Sequence, residues 1–319
     1  MSKANEYHPS MLRGLWALTV RELKKWLKEP IILLMAVLQP VIWMGFFGKA
    51  MNLNEMFSAN SLTNIQIPDA IPIPGNYVIP PVNGVVYVSG AWISQMLQQM
   101  FSNIGTSVMQ NTFGVADYFS YMAVGMISMI VMFTTMFSGM SIVWDRRLGF
   151  LDKVLSTPVS RAAIILSKMF NAALRAMFQA TIILALAVLL GLKVSSTFTP
   201  LNLLGIYAAV FLLSMGLSAL FLALALRSTR QETQMAIVNL INMPLMFASN
   251  TFFPIKMMPT WIQAIASVNP VSYLTDALRQ LTVFSLDVSA LITDFIYLGI
   301  FAAVLSVIGV VLSWRYLTK

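Results

Sequence analysis

Six apolar runs, separated by short polar or charged stretches and one long one, organise this chain: Ile31–Phe47, Tyr121–Val143, Ala172–Leu192, Leu203–Leu226, Met235–Phe253 and Leu291–Ser313. A helix rising 1.5 Å per residue needs about 20 apolar residues to cross about 30 Å of hydrocarbon. The runs therefore predict six transmembrane helices within residues 31–319. The first run is the shortest. It spans only if it extends to Met51, with Lys49 snorkelling outward. The fold class that follows is an all-α polytopic membrane protein.

The segments around the runs carry their own periodicity. Residues 1–30 form a polar tail and an amphipathic helix over Pro9–Glu29. Leu12, Leu15, Trp16, Thr19, Val20, Leu23, Trp26 and Leu27 recur at three and four, opposite Arg13, Arg21, Glu22, Lys24, Lys25 and Lys28, the pattern of a helix lying in the membrane interface. Pro30 ends it. Residues 52–119 make a long external loop. Within it Asn83-Gly84 predicts a tight hairpin turn between Tyr77–Val82 and Val85–Val88, and Trp92–Val108 carries an apolar stripe predicting a helix on the outer interface. Residues 254–285 read as two short helices: Trp261–Ser267 after Pro259, then one capped by Asn269 with Pro270 in its first turn. Helices this short predict a re-entrant hairpin from the outer face.

Composition agrees: the 319 residues are 58% hydrophobic and 10% charged, with a mean hydropathy of +0.77. There is no cysteine, and the single histidine, His8, sits in the polar tail, which leaves no thiol chemistry and no metal-ligand cluster. The formal net charge is +8, yet its distribution speaks against nucleic acid. All lysines and arginines except Lys49, Lys193, Lys256 and Arg279 fall in alternate connections and the two termini. The positive-inside rule then places both termini in the cytoplasm and anionic lipid beside the basic loops. The first 30 residues lack the apolar core of a cleavable signal peptide.

Absent motifs narrow the chemistry. No G-x-x-x-x-G-K-[ST] loop is present to cradle a nucleotide phosphate, so the chain is not expected to be an enzyme or to bind a cofactor. No ionisable residue is expected at the midplane: Arg175 is placed near the inner end of the third run, Asp294 near the outer end of the sixth, where it stays wet. An ion-coupled secondary transporter, the alternative reading, usually needs such residues. Candidate pathway residues are Met132, Phe133, Met136, Phe137, Asn239, Asn242, Met246 and Phe247. Asp276 and Arg279, three apart, are positioned to pair.

Two segments resemble the membrane subunit of ABC-2 type transporters, closest in pattern to daunorubicin-resistance-type drug-export permeases. One is Asp145-Arg146-Arg147-Leu148-Gly149-Phe150-Leu151-Asp152-Lys153-Val154-Leu155-Ser156-Thr157-Pro158-Val159-Ser160-Arg161, within the cytoplasmic region 144–168. The resemblance implies that it is the coupling helix docking into an ATPase subunit, with Asp145, Arg146, Arg147, Leu148, Gly149, Leu151, Leu155, Pro158 and Arg161 at the junction. Locally, Thr157 is placed to cap a helix starting at Pro158, and Leu148, Leu151, Val154 and Leu155 offer an apolar face. The other segment runs from Asn242-Met243-Pro244 through Pro254, Pro259, Trp261, Asn269, Pro270, Tyr273, Asp276 and Arg279, the outward re-entrant helices of the family. The long loop 52–119 departs from the family pattern. The resemblance further implies an exporter of lipophilic drugs, lipids or glycan-lipid intermediates in the plasma membrane. Its partners would be ABC ATPase subunits that carry ATP and Mg²⁺, and a second permease copy or homologue.

Overall fold

The computed structural model describes residues 11–46, 67–74, 77, 83–227 and 230–317. It is mostly helical. Helix α1 (Met11–Leu27) ends before Glu29, and Pro30 opens α2 (Pro30–Trp43). After the long connection come α3 (Gly90–Val108), α4 (Tyr118–Arg147), the short α5 (Phe150–Leu155), α6 (Arg161–Leu189) and α7 (Pro200–Arg227). The chain closes with α8 (Gln231–Phe247), the short α9 (Thr260–Ala266), α10 (Pro270–Thr282) and α11 (Val288–Leu317).

Among the described residues four helices are long and apolar enough to cross a membrane: those containing α4, α6, α7 and α11. They hold the second, third, fourth and sixth apolar runs. The first and fifth runs fall on shorter helices. Each contains a proline, Pro40 in α2 and Pro244 in α8, which removes one backbone donor from the ladder. The fifth run stops being helical at Phe247, six residues earlier than its hydrophobicity implies, because the chain turns at 248–251.

Helix α4 is the axis. Most of its residues are buried, and it packs against α2, α6, α7, α8 and α10. Asp117 caps its start by accepting from the Ser120 amide at 2.8 Å. Two glycines bring foreign backbone close. A Cβ at Gly125 would lie 2.2 Å from the Thr251 carbonyl oxygen, and one at Gly139 would lie 2.6 Å from that of Phe221. Around this axis α7 also packs on α6 and α11, while α1 lies along α6, burying Trp26 edge-on to Phe178 at 5.7 Å. Leu12 and Trp16 of α1 stay exposed.

The long connection forms differently from its sequence pattern. Strand β1 (Ala70–Pro74) pairs antiparallel with β2 (Val85–Ser89), Ala70 opposite Ser89 and Pro74 opposite Val85. Asn83-Gly84 thus belongs to a longer connection and not to a two-residue turn. Of Tyr77–Val82 only Tyr77 lies among the described residues. Pro72 and Pro74 are tolerated because a two-stranded ribbon is all edge. The apolar stripe after β2 is helical as expected, and Trp92, Met96 and Met100 are exposed along α3. Residues 52–66 of the expected external loop lie outside the described residues.

The close approach at Gly125 yields a test. Gly125→Val forces a branched side chain into the Thr251 backbone, and overpacking of this kind costs about 1–3 kcal/mol. The purified variant is expected to lose helicity at lower temperature than the parent. Gly299→Val, where no atom lies within 4 Å of a built Cβ, should leave the melting curve unchanged.

Candidate functional site

One face of α4 is left open, and a cavity of about 750 Å³ runs along it. Ile130, Phe133, Phe137, Met140, Trp144 and Leu148 recur at three and four down that face, with Thr134 and Ser141 beside them. Each neighbouring helix adds residues one turn apart: Ile31, Met35 and Gln39 from α2, Arg175 and Gln179 from α6, Gln231 and Met235 from α8. The last turns of α1 bring Glu22, Lys25 and Trp26, and the junction before α2 brings Glu29. The wall is mostly apolar with a few polar groups, the usual make-up of a ligand cavity. Thr134 donates to the Gln179 side-chain oxygen, which keeps both polar groups paired at depth.

Of the expected pathway residues, Phe133 and Phe137 line this cavity. Met132 and Met136 are on the buried side of α4, and Asn242, also buried, points its amide at the Met136 sulfur at 3.1 Å. Phe247 is exposed and Met246 half-buried; Asn239 is exposed on α8. The residues that spacing missed are Gln39, Thr134, Arg175 and Gln179. Arg175 is not at a helix end: it is the fifteenth residue of α6, its guanidinium 5.2 Å from the Trp26 ring centroid. A signal was present, since Arg175 and Gln179 are one turn apart within an apolar run.

The end of the bundle at α5 is held by charge. Lys168 Nζ donates to Asp145 Oδ2 at 2.5 Å and to Ser141 Oγ at 2.9 Å, with Glu22 Oε1 at 3.7 Å. Lys168 and Asp145 are both buried. Arg21 stacks on the Phe150 ring at 3.6 Å, tying α1 to α5. Arg146 donates to the Leu226 carbonyl at 3.2 Å and Arg147 approaches Gln231 at 3.5 Å. Gly149 supplies the left-handed turn into α5 at φ +66°.

Here two expectations change. Leu151 and Val154 pack inward, Leu151 against a cluster that includes Ile142, Ile165 and Met169, with Leu155 partly covered by the same cluster. A short helix at the end of a bundle gains more by burying its apolar side on its own chain. The outward surface is Leu148, Asp152, Lys153, Ser156, Thr157 and Pro158. The following helix starts at Arg161, capped by Ser160 through the Ala163 amide at 3.2 Å. Thr157 instead donates to the Val154 carbonyl at 2.6 Å, closing α5.

At the opposite end Pro254 precedes the turn Ile255–Met257, Pro259 precedes α9, and Trp261 is exposed. Asn269 caps α10: it accepts from the Val271 amide at 2.9 Å and donates to the Leu245 and Ala248 carbonyls at 2.8 and 2.6 Å. Tyr273 stacks on Tyr297 at 3.8 Å. Arg279 and Asp276 meet through Asn250 and not in a direct ion pair. Arg279 is fully buried and donates to the carbonyls of Tyr121, Asn250 and Thr251 at 2.8–3.3 Å, while Asp276 accepts from Asn250 at 2.5 Å. Asp294 is not wet but buried beside Gln280. Among the described residues no cluster of acidic or histidine side chains is arranged to hold a metal.

The arrangement is a lateral cavity in a helical bundle with a short helix at one end and a capped helix pair at the other. Residues 13–283 match the defining pattern of the ABC-2 type transporter family. The chain belongs to the ABC-2 type transporter family. Members are membrane components of transporters, not themselves catalytic, and generally work with ABC ATPase subunits. The transport permease ycf38 of Pyropia yezoensis is 25% identical over 86% of this chain and 76% of its own length. Its namesake in Porphyra purpurea is 32% identical over 45% of this chain and 49% of its own length. The daunorubicin resistance ABC transporter permease protein DrrB1 of Streptomyces coeruleorubidus is 26% identical over 52% of this chain and 58% of its own length. Apart from the Pyropia protein, the chain spans about half the length of the curated relatives it matches. Its family and its long apolar helices mark it as a multi-pass membrane protein.

The buried charge cluster makes a measurable demand. Lys168→Met leaves Asp145 buried without its partner, a loss of about 3–5 kcal/mol. Removing both charges in Lys168→Met with Asp145→Leu should restore most of that stability. Unfolding in a graded denaturing detergent, followed by circular dichroism, checks the ordering of the three proteins.

Proposed function

We propose that the chain is the membrane-spanning subunit of an ATP-driven exporter that moves lipophilic drugs, lipids or glycan-lipid intermediates across the plasma membrane. The observation that carries this reading is the cavity: it is large, mostly apolar and laterally open. It lies between α2, α4, α6 and α8, with the last turns of α1 on its wall. The names of drug-resistance relatives support an export role. On this reading α2 and α8 complete a set of six spans, and α9–α10 form the re-entrant hairpin. The end bearing α5 faces the cytoplasm with both termini, because the basic residues gather there.

A second copy or a homologue closes the open side. Gln39 and Asn239 are exposed on α2 and α8, and an exposed amide at membrane depth is better placed against protein or a watery path than against lipid tails. ATP and Mg²⁺ bind partner ATPase subunits below α5, and the chain itself holds neither. The outward surface of α5 at Leu148, Asp152 and Lys153 forms the docking face. Leu151 and Leu155 support it from behind, so that a push on α5 reaches α4 and α6 through their contacts.

Two experiments test this. In the first, the cysteine-free chain receives single cysteines at Asn83 or Ser156. Impermeant maleimide is expected to label Asn83→Cys in sealed cells and Ser156→Cys only after permeabilisation. Labelling of Ser156→Cys in sealed cells overturns the orientation. In the second, the chain is co-purified with candidate ATPase subunits. Leu148→Asp sets a charge against the partner's surface, and loss of a docking anchor of about 2 kcal/mol or more weakens retention more than about tenfold. Lys256→Glu, at the far end, should retain the partner. Transport that runs on a proton or sodium gradient with no ATPase bound would instead establish the ion-coupled reading.

A further inference from the structure

Beside the cavity three buried donors lack acceptors: Trp26 Nε1–H, Asn171 Nδ2–H and Arg175 Nε–H. They belong together. The Arg175 guanidinium lies by the Trp26 ring, and Arg175 Nη1 donates to Asn171 Oδ1 at 3.4 Å. Trp26 is 5% exposed and Asn171 3% exposed, so bulk water does not satisfy them. Buried polar groups are nearly always paired, and each exception calls for a reason. Trp26 and Arg175 are on the cavity wall itself.

The missing group must accept several hydrogen bonds. A water oxygen has two lone pairs, whereas a carboxylate or phosphate offers several acceptor sites and the charge that a guanidinium favours. The acids nearby do not fill this role. Glu22 and Glu29 are near enough to act on the Arg175 charge, but neither accepts a hydrogen bond from the three orphan donors, and Glu22 is engaged with Lys168 and Arg21. Away from these donors the wall turns apolar through Phe133, Phe137 and Ile130. An acceptor-bearing head and a hydrocarbon tail match this polarity.

We propose that the cavity binds an anionic amphiphile, its phosphate or carboxylate against Trp26, Asn171 and Arg175 and its chain along Phe133 and Phe137. That this amphiphile is cargo rests on the reading of the cavity as the transport path. The site sits where α1 meets the bundle, so the ligand enters from the leaflet beside α5.

The test uses the purified, delipidated full chain and native mass spectrometry, with dioleoyl-phosphatidylglycerol, dioleoyl-phosphatidylcholine and sodium phosphate as probes. Phosphatidylglycerol is expected to bind about tenfold tighter than phosphatidylcholine, whose phosphate is the same acceptor but is neutralised by its own choline cation, which the Arg175 guanidinium repels. Arg175→Gln should abolish that preference, Arg175→Lys should keep part of it, and Lys193→Gln at the other end should leave it intact. Trp26→Phe keeps the ring and removes one donor, so a few-fold loss there reports on the site even where Arg175→Gln fails to fold. Equal affinity for the two lipids, or an unchanged preference in both variants, overturns the proposal. So does inorganic phosphate displacing phosphatidylglycerol at equal concentration, which would mean that the tail adds nothing. A second arm follows labelled phosphatidylglycerol in liposomes containing the chain and its ATPase. Lipid that binds but is never moved by ATP overturns the cargo assignment. ATPase recruitment and ATP-driven transport of another compound, without the anionic preference, would sink this inference and leave the exporter reading standing.

Discussion

A guanidinium sealed inside a helical bundle is tolerable only when its donors are met, and Arg279 shows how one end of this protein is built around that demand. Its nitrogens reach three carbonyl oxygens, on Tyr121, Asn250 and Thr251, and its plane lies 3.4 Å from the Tyr121 ring centroid. Those carbonyls come from the first turn of α4 and from the turn that ends α8. The Asn250 and Thr251 oxygens lie past the C-terminal end of α8, outside its hydrogen-bond ladder, and the Tyr121 oxygen has a second lone pair to offer, so the arginine supplies donors where the fold has spare acceptors. Gly125 makes the approach possible by removing the Cβ that would strike Thr251. Asn269 repeats the device one turn away, donating to Leu245 and Ala248 while capping α10. The proline-bearing α8 is thereby fixed at its end although its length alone would not hold it.

The other end is held by opposite means. There Lys168, Asp145 and Glu22 exchange charge between three helices, and α5 covers the cluster with Leu151 and Val154. Net stabilisation from such a buried group is small, because desolvation offsets the Coulomb attraction. What it supplies is registry: α1, α4 and α6 meet in one arrangement, and removing one partner is penalised heavily. One end is thus locked by backbone carbonyls that cannot move independently of their helices. The other is held by side chains that can exchange partners. Motion is easier to accommodate at the second.

Long apolar runs carried most of the architecture at the level of sequence. Four helices sit where hydrophobicity put them, and Asn269-Pro270 marked the start of α10 because capping is a local property. Contacts between distant segments were harder to read. The strand partner of Val85–Ser89 proved to be Ala70–Pro74, since pairing depends on where two segments meet and not on the turn residues between them. The direction of Leu151 was equally hidden. An apolar face on a short helix looks the same whether it awaits a partner or rests on its own bundle. Arg175 shows a third limit. Counting residues from the start of an apolar run placed it near an interface, but α6 begins a full eleven residues before that run, at Arg161, and the arginine faces a cavity made by four other helices.

Helix α1 connects the two features on which the proposed function rests. Arg21 stacks on Phe150 of α5, and Gly14 sits against Val159 just beyond it, close enough that a Cβ there would lie 3.2 Å from a valine methyl. Five residues along from Arg21, Trp26 forms part of the cavity wall beside Arg175. A helix is stiff over so short a span, so a displacement of α5 that carries Arg21 also carries Trp26. Were α5 to move, the donors around the proposed head group would change their spacing, and ligand affinity would be linked to whatever presses on α5. Linkage of this kind is reciprocal: a ligand that draws Trp26 and Arg175 together biases α5 toward one position, and a partner that prefers that position tightens the ligand. An interfacial helix serving only as an anchor would need neither contact.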